Sequence, residues 1–428
     1  MVFMNEKKKI LILAGASVHK KVVQTAKKMG IYTIVTDYLP FEKSPAKQIS
    51  DEYWDIDIND IENIVKKCRE CKINGILNYC IDPAQIPYVK ICKELNLPCY
   101  ATQEQMDIMT NKVKFRKFAL ENKLKVIPSY SLERALTDEH IYPLLVKPAC
   151  SRGSRGQMVC YSPHDIEMGV TNAIQESGNN EYIIEKYMEN AQDIALSYLV
   201  INGTPYLMKF ADRYVGLKEH FTDRQQACAI LPSHLIDKYK SDIEYNVINF
   251  IKRLGVKFGP IFLQAFILNG EIYVYDPGIR FPGSDYDLAL IKATYFNPIK
   301  ILINYALGEN VKNEYPAYIL DDMCYYNNKC CILLSIICRE GKIKKIEGLE
   351  IIEDDSRVLS VDKRYRVGDR ILQTGDIKQR VFEIVALLTS KNYINNFLSF
   401  VYDNLKIYDE HYEDMIIDKI GIEVNIKE

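Results

Sequence analysis

The stretch Phe262-Leu263-Gln264-Ala265-Phe266-Ile267-Leu268-Asn269-Gly270-Glu271-Ile272-Tyr273-Val274-Tyr275-Asp276-Pro277-Gly278-Ile279-Arg280 decides the fold. Two runs of β-branched and aromatic residues flank Asn269-Gly270, a dipeptide that accepts the positive φ angles of a tight hairpin turn. Folded this way, the two strands set Gln264 beside Asp276. Paired side-chain oxygens of this kind suit Mg²⁺ carried by a nucleotide, because that ion keeps waters and phosphate oxygens among its ligands.

Working outward, a second polar cluster lies upstream in Val146-Lys147-Pro148-Ala149-Cys150-Ser151-Arg152-Gly153-Ser154-Arg155-Gly156. Lys147 closes the apolar run Leu144-Leu145-Val146, and burying an unpaired ammonium is strongly unfavourable. An anion opposite it is expected. Gly153 and Gly156 let backbone N–H groups approach that anion closely, and a triphosphate is the natural guest. Arg152 and Arg155 read either as further phosphate ligands or as solvated charges.

Four pieces in this order resemble the ATP-grasp superfamily, whose members bind ATP between two α+β lobes and mostly join a carboxylate to an amine. The resemblance covers nearly the whole chain and points to the branch of biotin carboxylase, the carbamoyl phosphate synthase large chain and the amino-acid ligases. It implies α/β and α+β architecture: an N-terminal Rossmann-like parallel-sheet domain over residues 1–108, then a two-lobed ATP-grasp domain over 109–312. Its small lobe spans about 125–190, and a strand-rich C-terminal subdomain over 313–428 completes the large lobe.

The resemblance also assigns roles. Lys112 and Lys147 would hold nucleotide phosphates under the loop formed by Ser151, Gly153, Ser154 and Gly156. Glu185, Lys186 and Met188, in Tyr182-Ile183-Ile184-Glu185-Lys186-Tyr187-Met188, match the adenine hinge, which needs backbone geometry rather than a special side chain. Asp193 matches the acid that holds ribose hydroxyls, although Glu is commoner there. Gln264 and Asp276 would be the metal ligands, and Arg280 would neutralise charge on the transferring group. Arg213 and His220, in a polar stretch running from Lys209 through Arg224, are candidates for holding an anionic substrate, and a solvated loop is the competing reading. The chain departs from the family at Gly278, where an Asn ligand is usual. ATP and Mg²⁺, with Mn²⁺ as an alternative, are the implied cofactors.

Before these motifs, residues 9 to about 100 alternate strand and helix: Lys9 to Ala14, Lys20 to Met29, Tyr32 to Thr36, a helix from Ile61, then Gly75 to Asn78. Such alternation implies a parallel sheet with crossover helices. Ala14-Gly15-Ala16-Ser17 lacks the full G-x-G-x-x-G pattern, so no nicotinamide site is read from it. The resemblance places Gly15 and Asp37 on the wall of the acceptor cleft; a tight turn and a strand-end acid explain them equally. Another helix is expected from Asn111 to Asn122, and the Asn202-Gly203 turn follows a strand from Ile194 to Val200.

The chain has 428 residues with 48% hydrophobic and 26% charged, which excludes a disordered or fibrous protein. Fifty-five basic against 57 acidic residues give no general attraction to nucleic acid or to an anionic membrane surface, so small-molecule carboxylate and amine substrates are the expected partners. A homodimer is compatible with the family. The apolar run Ile10 to Ala14 is too short for a signal peptide or a span, and the scattered cysteines fit a cytoplasmic protein without disulfides. Cys68 and Cys71 share helical spacing with Ile61, Ile64 and Val65, and read as a helix face rather than a zinc pair.

These readings lead to an ATP-dependent carboxylate–amine ligase, with amino-acid ligation first and sugar-acid amidation or aminoacylation for a surface polysaccharide as the alternative. A degenerate nucleotide sensor without turnover is the reading from a different class.

Overall fold

The computed structural model describes residues 7–149, 156–178, 180–189, 191–217, 225–311, 315–417 and 419–420. It begins with β1 (Lys9–Leu13), α1 (Lys20–Lys28), β2 (Tyr32–Thr36), β3 (Glu52–Trp54), α2 (Ile61–Cys71), β4 (Gly75–Leu77) and α3 (Gln85–Leu95). The four strands are parallel in the order β3-β2-β1-β4. Apolar runs such as Ile10 to Leu13 have no polar face because helices cover both sides of a parallel sheet. Asp60 caps α2 through the Asn63 amide, and Cys68 is buried beside Ile64 and Val65 on the inner side of that helix. The described cysteines are free thiols.

Two helices, α4 (Gln103–Thr110) and α5 (Lys112–Glu121), lead to the first lobe. There β5 (Ser129–Tyr130), β6 (Leu144–Pro148), β7 (Met158–Cys160) and β8 (Tyr182–Lys186) form an antiparallel sheet in the order β5-β8-β6-β7. A helix from Pro163 to Ser177 covers it, started by a capping box between Ser162 and Asp165 with Pro163 in the first turn. Leu144, Val146, Cys160, Ile166, Ala173 and Ile184 make this lobe's own core.

The second lobe is built on a nine-stranded sheet. Its strands are β9 (Gln192–Ile201), β10 (Thr204–Val215), β11 (Gln226–Leu231), β12 (Gly259–Leu268), β13 (Glu271–Gly278), β14 (Cys330–Cys338), β15 (Val358–Lys363), β16 (Arg380–Leu388) and a short β17 (Ile416–Ile417). The order is β13-β12-β9-β10-β11-β14-β16-β15, with β17 paired to β14. Strands from residues 330–388 thus extend the same sheet as those from 192–278, and a helix from Ile394 to Asn404 packs against the added part.

The segment Lys209 to Tyr214 is strand, not loop: it is the second half of β10 and pairs with both β9 and β11. Its polar residues are tolerated inside because they are satisfied. Asp212 accepts from Ser233 Oγ at 2.5 Å and from the His234 amide at 2.9 Å, and Arg213 is paired to Asp193 at 2.8 Å. Among the described residues, no helix is long and apolar enough to cross a membrane.

Candidate active site

Lys147, near the end of β6, is 3% exposed, and its ammonium lies 2.6 Å from Glu185 Oε2. The other oxygen of Glu185 accepts from Arg116 Nη1 at 2.6 Å. Register explains the meeting: β6 and β8 run antiparallel with Leu145 opposite Glu185 and Lys147 opposite Ile183. Two cations share one buried carboxylate here, so positive charge is left over at the mouth of the lobe. Burial lowers the Lys147 ammonium, Lys112 repels it further, and Glu185 and Asp276 pull the other way with burial winning. Lys112, itself buried, opens α5, and its amide donates to the Ala149 carbonyl at 3.2 Å. The start of α5 is thereby joined to the end of the segment that enters the glycine loop.

At the far end of that loop Gly156 has φ +65°, and a Cβ there would lie 2.7 Å from Glu176 Cβ and 2.9 Å from Pro148 Cγ. Only glycine fits both the angle and the space. Ser151, Gly153 and Ser154, with Arg152 and Arg155, lie outside the described residues, as does His220.

In the hinge the Lys186 amide donates to Pro128 O at 2.9 Å and the Tyr187 amide to Pro143 O at 3.1 Å. The Lys186 ammonium is held by the carbonyls of Ile141 and Tyr142 at 2.9 and 3.0 Å, so this side chain braces the lobe. Met188 follows directly after the Lys186 and Tyr187 backbone bonds. Glu185 takes part through its side chain as well, by fixing Lys147.

The hairpin forms as its turn dictates, with Asn269 at φ 53° and Gly270 at φ 78°. Gln264 stands opposite Asp276 in register, and a bulge follows directly between Gln264 and Ala265. Val274 N donates to Lys125 O at 3.1 Å, which ties this hairpin to the connection entering the first lobe. Asp276 is felt electrostatically by both Lys147 and Arg280. Among the described residues no group of three His, Cys, Asp or Glu side chains converges. One carboxylate and one amide oxygen are a donor set that could hold a Mg²⁺ taking its other ligands from phosphates and water, and the nearby cations suit the phosphates.

Arg280 is 9% exposed and paired to Asp82, with Nη2 at 3.2 Å from Oδ2 and Nε on Oδ1. Its Nη1 donates to Phe281 O at 2.9 Å, and the guanidinium lies 5.0 Å from the Phe262 ring centre. Burial opposes the charge, but Asp82 and Asp276 outweigh it and hold the guanidinium above its ordinary range. Asp82 belongs to the N-terminal domain, and so does Gln85, which accepts from the Ile279 amide at 3.0 Å. The segment that follows β4 is therefore joined to the strand end that carries Asp276 and Arg280.

Asp193 and Arg213 do not stand apart as a ribose ligand and an anion ligand. Arg213 Nη1 donates to both oxygens of Asp193 at 3.0 and 2.8 Å and lies 2.7 Å from Tyr275 Oη, which itself donates to Asp193 at 3.0 Å. Arg213 Nε reaches Gln226 Oε1 at 3.0 Å. Burial raises the Asp193 carboxyl, although Arg213 and Tyr275 draw it down. The pair is a half-buried brace across β9, β10 and β13. Asp37 is also engaged, accepting from the amides of Gly15 at 2.7 Å and Leu39 at 2.9 Å.

Residues 111–257 match the family model described as carbamoyl-phosphate synthase L chain, ATP binding domain. The chain has the ATP-grasp fold. Its sequence is 27% identical over 283 residues to the carbamoyl phosphate synthase large chain of Clostridium botulinum (strain Loch Maree / Type A3), an alignment covering 62% of this chain and 25% of that one. The chain thus spans a quarter of the length of that relative. An L-amino acid ligase from Bacillus licheniformis superposes with a TM-score of 0.77 at 18% identity, covering 94% of this chain and 99% of the other. The biotin carboxylase domain of a 2-oxoglutarate carboxylase from Hydrogenobacter thermophilus, solved with MgADP, ADP and bicarbonate, gives 0.73 at 17% identity over 94% and 90%.

Sequence reasoning missed Arg116, Asp82, Gln85 and Tyr275. Arg116 follows Lys112 by four residues on one helix face, a spacing that could have found it. Asp82 and Gln85 carry no local signal, because their partners are about two hundred residues away.

Proposed function

We propose that this ATP-grasp chain is an ATP-dependent carboxylate–amine ligase that joins a small carboxylate to an amine through an acyl phosphate and releases ADP and phosphate. One observation carries the reading: Gln264 faces Asp276 across the hairpin, and the Asp276 charge is shared by Lys147 from one lobe and Arg280 at the N-terminal domain contact. Lys147 and Lys112 would hold phosphates, the Met188 amide would read the adenine edge, and Gln264 and Asp276 would hold Mg²⁺, which shields phosphate charge when bound. Arg280 would stabilise charge on the transferring phosphoryl group, held for that task by Asp82. Asp193 and Arg213 act in this reading as positioning residues beneath the nucleotide. Positioning and charge neutralisation suffice for such chemistry, and no covalent nucleophile is required.

Likeness to the L-amino acid ligase supports an amino acid as substrate. Gly278 and the engaged Asp193 support a second reading, a nucleotide sensor without turnover. The Asp276→Asn variant separates them. A ligase loses phosphate release from MgATP while its unfolding transition stays in place. A sensor shows no substrate-dependent phosphate release in either protein.

A further inference from the structure

The segment from Ile279 to Asp287 carries Arg280 away from the end of β13 and into the helix Tyr286–Thr294. It is fastened step by step to residues that follow β1 and β4. The Ile279 amide donates to Gln85 Oε1 at 3.0 Å, Arg280 pairs with Asp82, and the Phe281 amide donates to the Tyr79 carbonyl at 2.9 Å. The rings of Tyr79 and Phe281 lie 5.2 Å apart. Further along, Lys21 from the first turn of α1 donates to the Ser284 carbonyl at 2.9 Å, stands 2.9 Å from Asp285 Oδ1 and is bonded to Asp287 Oδ1. The same ammonium lies 5.1 Å from the centre of the Tyr79 ring, within reach of a cation–π contact.

Lys21 is 7% exposed and Asp287 fully buried. Burial opposes the Lys21 charge, but Asp287 and Asp285 outweigh it and hold the ammonium above its ordinary range. Burial raises the Asp287 carboxyl, although Lys21 draws it down. Burying an ion pair costs desolvation, so the pair is weak evidence for stability. What it fixes is geometry. Lys21 grips the segment directly at Ser284, Asp285 and Asp287, and reaches it again through the Tyr79 ring at Phe281, whose carbonyl accepts from Arg280 Nη1 at 2.9 Å. One ammonium thus closes a chain of contacts that ends on the Arg280 guanidinium.

We infer that Lys21 is a positioning residue for Arg280: by binding Ser284, Asp285 and Asp287 it clamps residues 279–287 against the segments that follow β1 and β4, and so sets where the guanidinium stands. The task given to Arg280 rests on the ligase reading; the clamp rests on the contacts alone. Lys21 and the clamped segment both lie outside residues 111–257, the matched ATP-binding domain.

Lys21→Met alone would leave Asp287 buried without its cation, so the test uses the full chain carrying Lys21→Met and Asp287→Asn together, which removes both charges at once. Amide hydrogen exchange read by mass spectrometry is expected to quicken about tenfold in peptides covering 279–287, where the Ile279 and Phe281 amides are freed, and to stay unchanged in the β12–β13 hairpin. Lys21→Arg keeps the cation and should exchange as the wild type does. No change at 279–287, or faster exchange spread evenly over all peptides, overturns the clamp. With a substrate pair that releases phosphate from MgATP, kcat of the double variant should fall about tenfold at an unchanged KM for MgATP. An unchanged kcat overturns the positioning of Arg280. A wild type that releases phosphate with no pair counts against the ligase reading, and the exchange data still decide the clamp.

Discussion

Glu185 is the residue on which this end of the candidate site turns, because one buried carboxylate pairs with both Lys147 and Arg116. Removing one partner of a buried ionic group leaves uncompensated charge, so Glu185→Gln is expected to lose about 3–5 kcal/mol in urea unfolding. A loss under about 1 kcal/mol would mean that water already screens the triad. Lys209 makes the opposite prediction. Burial, with Arg213 adding repulsion, lowers its ammonium from 10.5 to about 8, and it sits 4.8 Å from the Tyr286 ring centre. The unfolded chain then binds more protons between those values, so stability climbs as pH rises from about 8 to 10.5. Lys209→Met should accordingly stabilise the protein below pH 8, on the order of 3 kcal/mol, with the gain fading towards pH 10.5. Gly278 is a third case. Its φ is not positive, and an added Cβ would meet Arg280 Cγ at 3.4 Å and Gln85 Oε1 at 3.7 Å, ordinary contacts. Gly278→Asn should fold normally and tighten Mg²⁺ in a titration of MgADP binding.

Among elements, the β12–β13 hairpin matters most, since its register alone sets Gln264 against Asp276. Gly270→Val forces a β-branched residue to φ 78°, and is expected to cost about 1–2 kcal/mol and raise the KM for MgATP through a shifted register. Unchanged KM would detach the metal pair from the turn. This hairpin was legible in the sequence because its determinants are local: two β-rich runs and an Asn-Gly turn. The parallel strands from Lys9 and Tyr32 and the helix face with Cys68 were legible for the same reason. Strand β3 was not, as Glu52, Tyr53 and Trp54 show no alternation or apolar run. The helix from Pro163 carried a readable start in Ser162, Pro163 and Asp165 that apolar periodicity did not reinforce. The second half of β10 read as loop because its charges are satisfied by Ser233, His234 and Asp193, partners that no local pattern reveals.

For the whole molecule, the segment that follows β4 is joined to the candidate site through Asp82 and Gln85. Its contact with Arg280 and Ile279 is expected to govern turnover more than nucleotide affinity, so Asp82→Asn should lower kcat about tenfold or more while MgADP binding stays within about twofold. The sequence placed Asp276, Lys147 and Arg280 in order along the chain, but the pairing of Arg280 with Asp82 and of Arg213 with Asp193 arises only when distant segments meet. The most direct measurement is phosphate release from MgATP against pairs drawn from amino acids, dipeptides, sugar acids and ammonium, with mass spectrometry of the products. The account predicts ADP, phosphate and a condensed amide for at least one pair, abolished in Asp276→Asn. MgATP binding with no condensed product across the whole panel would contradict the ligase and leave a nucleotide sensor.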